Sequence, residues 1–226
     1  MLKNGITVAK KSGLNFIIGA DGKPLRFKPW LGDSFAFLYD FIMNKSIFPK
    51  KLAADMTKHY ETLRRELNGV HGKRVIELAT GSGSAICFLG NDNTYVGTDI
   101  SPGSHSLRKA IKRFRSAGFK NAEFYVTNTE ELSFEDGLFD VCLCILSFNF
   151  FNNHVKALAE AHRVLSPGST FLCAVPVPER NRIGSTIRGS LYSQQELTTL
   201  FQESGFAFEA IPFENGSLLY FRGIRT

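Results

Sequence analysis

From Arg74 onward the chain alternates short β-branched apolar runs with longer stretches that are apolar on one face only. Val75 to Leu78 is predicted as a first strand and Ser84 to Leu89 as the helix after it. Thr94 to Thr98 is the second strand, followed by a helix over Ser104 to Ala117 that Gly118 closes. Ala122 to Val126 reads as a third strand. Phe139 to Leu146 reads as a fourth, apolar on both faces and therefore central. A helix over Val155 to Leu165 stops at Ser166-Pro167-Gly168, and Thr170 to Val175 is the fifth strand. Strands and helices alternating over short connections predict a mainly parallel sheet covered by helices on both sides. The end breaks this rhythm. After a helix over Ser193 to Ser204 come Phe206 to Phe213, the turn pair Asn215-Gly216, and Leu218 to Phe221. Two strands around an Asn-Gly turn form a hairpin, so the last strand is expected to run antiparallel.

Residues 1–71 follow a different pattern and are expected to form an N-terminal extension and helical cap on a core of residues 72–226. Asn15 to Ile18 and Leu25 to Phe27 flank Asp21-Gly22, which predicts a small β-ribbon. Asp33 or Ser34 is placed to cap a helix carrying Phe35, Leu38, Phe41 and Ile42 on one face, ending near Asn44 to Ile47 before Pro49. A longer helix is expected from Pro49, with Leu52, Met56, Tyr60, Leu63 and Leu67 at spacings of three and four, ending at Asn68-Gly69.

The 226 residues, 43% hydrophobic and 21% charged, suffice for one globular domain with a sizeable core. The longest apolar run, Val141 to Phe151, falls well short of the roughly 20 residues that span a bilayer. Lys10 and Lys11 interrupt any N-terminal signal pattern, so a cytoplasmic location is expected. Cys87, Cys142, Cys144 and Cys173 all fall in apolar patterns with no His cluster to complete a metal set. They read as buried thiols, and no metal is expected. The net charge of +6 is concentrated: residues 1–74 carry 14 Lys and Arg against 6 acids. Arg108, Lys109, Lys112, Arg113, Arg115 and Lys120 form a second basic cluster. An RNA or phospholipid partner would use such charge, whereas a solvated helix face is the plainer reading.

The stretch VIELATGSG, residues 75–83, carries the chemistry. A strand ends in an acid, Glu77, and breaks into a turn in which Gly81 and Gly83 let a ligand approach the backbone closely. Asp99, 16 residues beyond Gly83 at the end of the second strand, stands where a carboxylate accepts hydrogen bonds from ribose hydroxyls. The dinucleotide fingerprint requires a small residue three positions after Gly83, and Ile86 stands there. Glu77 also suits a ligand bearing positive charge better than a pyrophosphate.

With these residues, the chain from about Gly72 to its end resembles the class I S-adenosylmethionine-dependent methyltransferases, in the broad group that includes small-molecule and ubiquinone-pathway enzymes. The matching pieces are VIELATGSG, YVGTDIS from Tyr95, NTEELSFEDGLFDV from Asn128, RVLSPGSTFL from Arg163 and SQQELTTLFQESGF from Ser193. The resemblance implies a Rossmann-like α/β fold with a mainly parallel seven-stranded sheet, a C-terminal antiparallel hairpin and an N-terminal helical cap. It implies S-adenosylmethionine as cofactor and S-adenosylhomocysteine as product. Ala79, Gly81, Ser82 and Gly83 would make room for the methionine portion, and Glu77 would order its amino end. Asp99 would hold the ribose, Ile100 pack on the adenine, Asn128 accept from the adenine amino group and Thr129 offer its backbone N–H. Leu146 would line the pocket near the sulfur, and Tyr39 would meet the cofactor from the cap. Asn149 and Phe150 stand where related sequences often carry histidines, so no catalytic residue is assigned. His154 lies nearest the expected mouth. The function expected is methyl transfer to a small acceptor, apolar in view of the aromatic stretch Phe35 to Phe48. An RNA methyltransferase or a non-catalytic S-adenosylmethionine-binding module are the alternatives.

Overall fold

The computed structural model describes residues 1–25, 39–102 and 107–226, with the backbone alone for residues 39 and 40. The expectations for Phe35, Leu38 and the caps at Asp33 and Ser34 lie outside these residues, as do residues 26 and 27 of the expected ribbon, residues 104–106 of the expected helix and the side chain of Tyr39.

One sheet runs through the molecule. Its strands are β1 (Val8–Lys11), β2 (Leu14–Ile17), β3 (Arg74–Glu77), β4 (Thr94–Asp99), β5 (Ala122–Val126), β6 (Phe139–Ile145), β7 (Leu165–Pro176), β8 (Phe206–Ala210) and β9 (Leu218–Arg225). They lie in the order β1-β2-β5-β4-β3-β6-β7-β9-β8. From β5 to β7 every pair is parallel, and β9 runs antiparallel to both β7 and β8. This is the α/β class I methyltransferase fold, with the expected seven strands and terminal hairpin. Strands that follow β3 in the chain lie on one side of it as far as β5, and β6 returns to the other side. The crevice at such a switch, beyond the carboxyl ends of the strands, is where open α/β sheets bind ligands.

Helices α2 (Met56–Leu67) and α3 (Leu107–Ser116) cover one face, and α4 (His154–Val164) and α5 (Gln194–Glu203) belong to the core on the other. Along β6 every residue but Asp140 is buried, as a central strand packed on both faces requires. The helix ends follow local chemistry. Asp55 caps α2 by accepting from the N–H groups of Thr57 and Lys58. Asn153 caps α4, and Ser193 with Glu196 forms a capping box on α5. No helix among the described residues is long and apolar enough to cross a membrane.

Five local expectations change. The N-terminal ribbon turns at Ser12-Gly13, both at positive φ, rather than mainly at Asp21-Gly22, which closes only an isolated bridge between Ile18 and Pro24. The ribbon also joins the core sheet, β2 pairing in parallel with β5, which brings the strand count to nine. Helix α1 (Tyr39–Ile42) does not stop before Pro49 but widens into a π-helix over Met43–Lys51 that carries Pro49 inside it. The following helix starts at Met56 rather than Pro49, because Ala53 at φ 49° turns the chain first. The predicted helix over Ser84 to Leu89 is a single 3₁₀ turn, Ser84–Cys87.

Candidate functional site

The carboxyl end of β3 is pinned on both sides. The Leu78 N–H donates to the Leu143 carbonyl on β6, and the Thr80 N–H to the Thr98 carbonyl on β4, each at 2.8 Å. Between them Ala79 sits at φ 52°, and Leu146, at the exit of β6, sits at φ 60°. Left-handed backbone at a non-glycine residue costs on the order of 1–3 kcal/mol and persists where surroundings enforce it, typically at ligand sites. Both residues line one pocket with Glu77, Gly81, Ser82 and Ser147. The Ser147 hydroxyl reaches the Ala79 carbonyl at 3.4 Å, tying the two strained turns together.

Gly81 and Gly83 serve different ends. Gly81 has φ 54°, and a Cβ there would meet nothing nearer than 4.0 Å, so its surface is open to a ligand. Its N–H donates to Asp99 Oδ2 at 2.9 Å, while the Ser101 N–H donates to Oδ1 at 2.9 Å. Asp99 thereby holds the glycine turn and the β4 exit in one arrangement. A carboxylate still has lone pairs for further donors. Gly83 is closed: a Cβ there would lie 2.7 Å from the Ala110 Cβ, so this glycine lets α3 pack on the turn. Arg113 on that helix donates to the carbonyl of Ser82 at 3.2 Å.

Glu77 is 2% exposed. The Tyr95 hydroxyl donates to its carboxyl, and the hydroxyls of Thr80 and Thr98 donate to its carbonyl at 3.1 and 2.9 Å. Burial, reinforced by the nearby Asp99 charge and opposed by the Tyr95 bond, pushes its pKa up to about 8. In this state the acid is neutral at pH 7, and a ligand cation beside it would favour its ionised form.

Pairing of β4 with β5 sets Asp99 opposite Val126, and the Thr127 N–H donates to the Asp99 carbonyl at 3.0 Å. Ile100, 37% exposed, thus shares the β4–β5 corner with Asn128 and Thr129. Asn128 Oδ1 accepts from the Glu130 N–H at 3.1 Å, which holds the amide in a turn of its own.

The cap completes the pocket with residues that carried no expected role: Met43 and Asn44 from the π-helix, Met56, His59 and Tyr60 from α2, and Thr80 and Ser84 from the turn. Phe48, from the aromatic stretch of the cap, stands among them. Helical spacing alone does not separate a pocket wall from ordinary core, so these side chains gave no distinguishing signal. Tyr95 was equally hidden, since a tyrosine in a strand usually signals packing. The cap is held by the C-terminal hairpin. Asn215 exchanges hydrogen bonds with the backbone of Asp55 at 2.7 and 2.8 Å, and the Ser217 N–H donates to the Leu52 carbonyl at 2.7 Å.

Three further histidines among the described residues have structural partners. His154 bonds the Phe148 carbonyl through Nε2 at 3.0 Å and the Tyr192 hydroxyl through Nδ1 at 3.2 Å. His162 packs its ring against Phe206, and His71 pairs with Asp92. Asn149 is buried, its Nδ2 donating to the Arg188 carbonyl at 2.7 Å. All four cysteines are free thiols, and no group of metal-ligating side chains occurs among the described residues.

An open glycine turn at a sheet switch point, a buried acid beneath it and a carboxylate one strand away fit an adenosine ligand with a charged amino-acid tail. Residues 76–173 match the family model of the methyltransferase domain. Over this stretch the chain is similar to the class I S-adenosylmethionine-dependent methyltransferases, a likeness that implies S-adenosylmethionine as cofactor. It is similar to a demethylmenaquinone methyltransferase of Thermus thermophilus, 32% identical over 134 residues, 57% of this chain and 58% of that protein. A ubiquinone/menaquinone biosynthesis C-methyltransferase of Brucella canis is 32% identical over 124 residues, 42% of this chain and 45% of that protein. The chain thus spans about half the length of the curated relatives it matches. A methyltransferase structure from Aquifex aeolicus superimposes with a TM-score of 0.64 over 89% of this chain and 100% of that one, at 16% identity.

Proposed function

We propose that the protein transfers a methyl group from S-adenosylmethionine to a small ring acceptor of the quinone type. The observation that carries this reading is the wall opposite the glycine turn: Met43, Phe48, Met56 and Tyr60 present thioether and aromatic surface to the cavity that Glu77, Gly81 and Leu146 line. Such a wall accepts a flat apolar ring. The two relatives bear names that assign them to demethylmenaquinone and to ubiquinone/menaquinone biosynthesis. Residence in the cytoplasm is part of this proposal, supported by four free thiols.

When bound, S-adenosylmethionine supplies a methyl group already activated on a sulfonium, so alignment and dehydration are the protein's main tasks. Glu77 ionises to meet the ammonium of the methionine tail. Asp99 accepts from the ribose hydroxyls, and Ile100, Asn128 and Thr129 hold the adenine. Ala79, Gly81, Ser82 and Gly83 shape the turn, and Leu146 borders the reacting centre. Tyr39 is the residue of the cap assigned to the cofactor.

The test is transfer of label from methyl-labelled S-adenosylmethionine to 1,4-dihydroxynaphthalene under anaerobic conditions, with the product's new methyl located by NMR. A methyl on a ring carbon is the expected result. Absence of transfer to this ring, with transfer to RNA instead, would overturn the reading.

A further inference from the structure

His59 sits in α2, 2% exposed, its ring centroid 5.1 Å from that of Phe48. It belongs to a chain of hydrogen bonds whose protons can be assigned one after another. The Asp55 N–H can only donate, so the Asn215 atom that faces it at 2.7 Å is Oδ1. Asn215 Nδ2 then gives its two protons to the Asp55 carbonyl at 2.8 Å and the Tyr220 hydroxyl at 3.1 Å. With its oxygen already accepting there, Tyr220 directs its own proton to its remaining neighbour, His59 Nδ1 at 3.0 Å. Nδ1 accepts, so the proton of the neutral ring lies on Nε2. Burial pushes the pKa of this histidine down to about 4, which keeps the ring neutral at physiological pH.

His59 lines the same pocket as Glu77, Gly81 and Leu146, and its Nε2 has no partner among the described residues. The group that fixes its tautomer, Tyr220, is on β9, three strands across the sheet from β3. At about 4.8 Å per strand this is on the order of 14 Å from the strand that carries the glycine turn. His59 is thus anchored on the side of the pocket away from the cofactor turn.

We propose that the Nε2–H of His59 is a preset hydrogen-bond donor to an oxygen of the methyl acceptor, which selects a ring bearing a carbonyl, phenol or hydroquinone oxygen. This rests on the methyltransferase reading above and deepens it. An acceptor with only donor groups would face the proton of Nε2 without a partner for it. A ring oxygen engages it and gains stabilisation as negative charge accumulates there. Tyr220 and Asn215 are positioning residues, acting through His59.

Calorimetry with three probes separates the outcomes: S-adenosylhomocysteine, 5′-methylthioadenosine, which lacks the amino-acid tail, and 1,4-dihydroxynaphthalene added anaerobically to the S-adenosylhomocysteine complex. His59→Phe is expected to weaken dihydroxynaphthalene about tenfold, the usual scale for one hydrogen bond. It leaves both adenosine ligands unchanged. His59→Gln, which keeps an acceptor for Tyr220 and a donor for the pocket, should restore most of the loss. On the wild-type protein, nitrogen-15 NMR of the His59 ring should show a neutral Nε2–H tautomer across pH 6 to 8, a readout independent of any variant's folding. An Nδ1–H tautomer overturns the proposal. So does a His59→Phe variant that binds the ring as tightly as wild type, a wild-type complex that does not bind it, or a loss specific to S-adenosylhomocysteine over methylthioadenosine, which would assign His59 to the cofactor carboxylate. Failure of the wild type to bind either adenosine ligand would instead remove the cofactor reading itself.

Discussion

Replacing Glu77 by Gln should stabilise the ligand-free protein, and by an amount that depends on pH. The folded pKa lies at about 8 against an ordinary value of 4.5, so the folded state holds a proton that the unfolded state has lost. For an acid shifted upward, the associated stability is fully present below pH 4.5 and is lost as pH rises towards 8. At 1.36 kcal/mol per unit, the deficit relative to a neutral side chain is about 1 kcal/mol at pH 5, about 3 at pH 7 and about 4 at pH 8. Glutamine keeps an acceptor for the Tyr95 hydroxyl and never ionises, so its advantage over wild type should follow that curve. His59, His154 and His162 are held below their ordinary value by burial and act in the opposite direction as pH falls through 6.5. They are common to both proteins and cancel in the difference. Urea unfolding of wild type and Glu77→Gln at the three pH values measures it. An advantage that is flat with pH, or a variant less stable than wild type at pH 8, would refute the buried neutral acid. Cofactor binding carries the complementary signature. If the ammonium of S-adenosylhomocysteine meets Glu77, wild type should release close to one proton on binding at pH 7, and Glu77→Gln none. Calorimetry in buffers of different ionisation enthalpy reads that number.

Four further outcomes are expected. Asp99→Ala removes the acceptor of the Gly81 and Ser101 N–H groups and of the ribose, and should weaken S-adenosylhomocysteine by about 1–3 kcal/mol by calorimetry. An unchanged affinity would exclude Asp99 from the ribose. Gly83→Ala places a Cβ 2.7 Å from the Ala110 Cβ at φ 75°, and should cost about 2–4 kcal/mol in urea unfolding through backbone strain and overpacking. Gly81→Ala, with no neighbour nearer than 4.0 Å, should lose less stability and more cofactor affinity. In Gly216→Ala the new Cβ would collide with the Leu52 carbonyl, so the cap should detach and trypsin should cleave at Lys50 or Lys51 faster than in wild type. Equal cleavage rates would show that the hairpin does not hold the cap.

Much of the core was legible along the chain because its rules are local. The alternation of apolar runs and amphipathic helices from Val75 to Val175 specifies a parallel sheet, and the run VIELATGSG followed by Asp99 marks its glycine turn. The antiparallel end was equally readable, since β8 and β9 flank an Asn-Gly pair. Fine features of the turn were not. Gly81 and Gly83 are alike in sequence, and only the approach of Ala110 from α3 shows that one faces open space and the other a helix.

By itself, then, the sequence determined the order of the core elements and, apart from the 3₁₀ turn at Ser84–Cys87, their type, with the position of the glycine turn and the acids beside it, because periodicity and turn chemistry act over a few residues. Tertiary structure alone decided which side chains meet. Asn215 and Gly216 read as nothing more than a hairpin turn, yet they seat residues 52–55 of the cap, some 160 positions earlier in the chain. Tyr95, a strand residue to which the sequence assigned no role, is the donor to Glu77. His59, one of five histidines with no motif around it, acquires a defined tautomer and a place in the pocket only when β9 brings Tyr220 against it. Burial and hydrogen bonding of this kind are made by residues distant in the chain. Their effects on charge and proton position do not exist until the sheet has formed and the cap has closed on it.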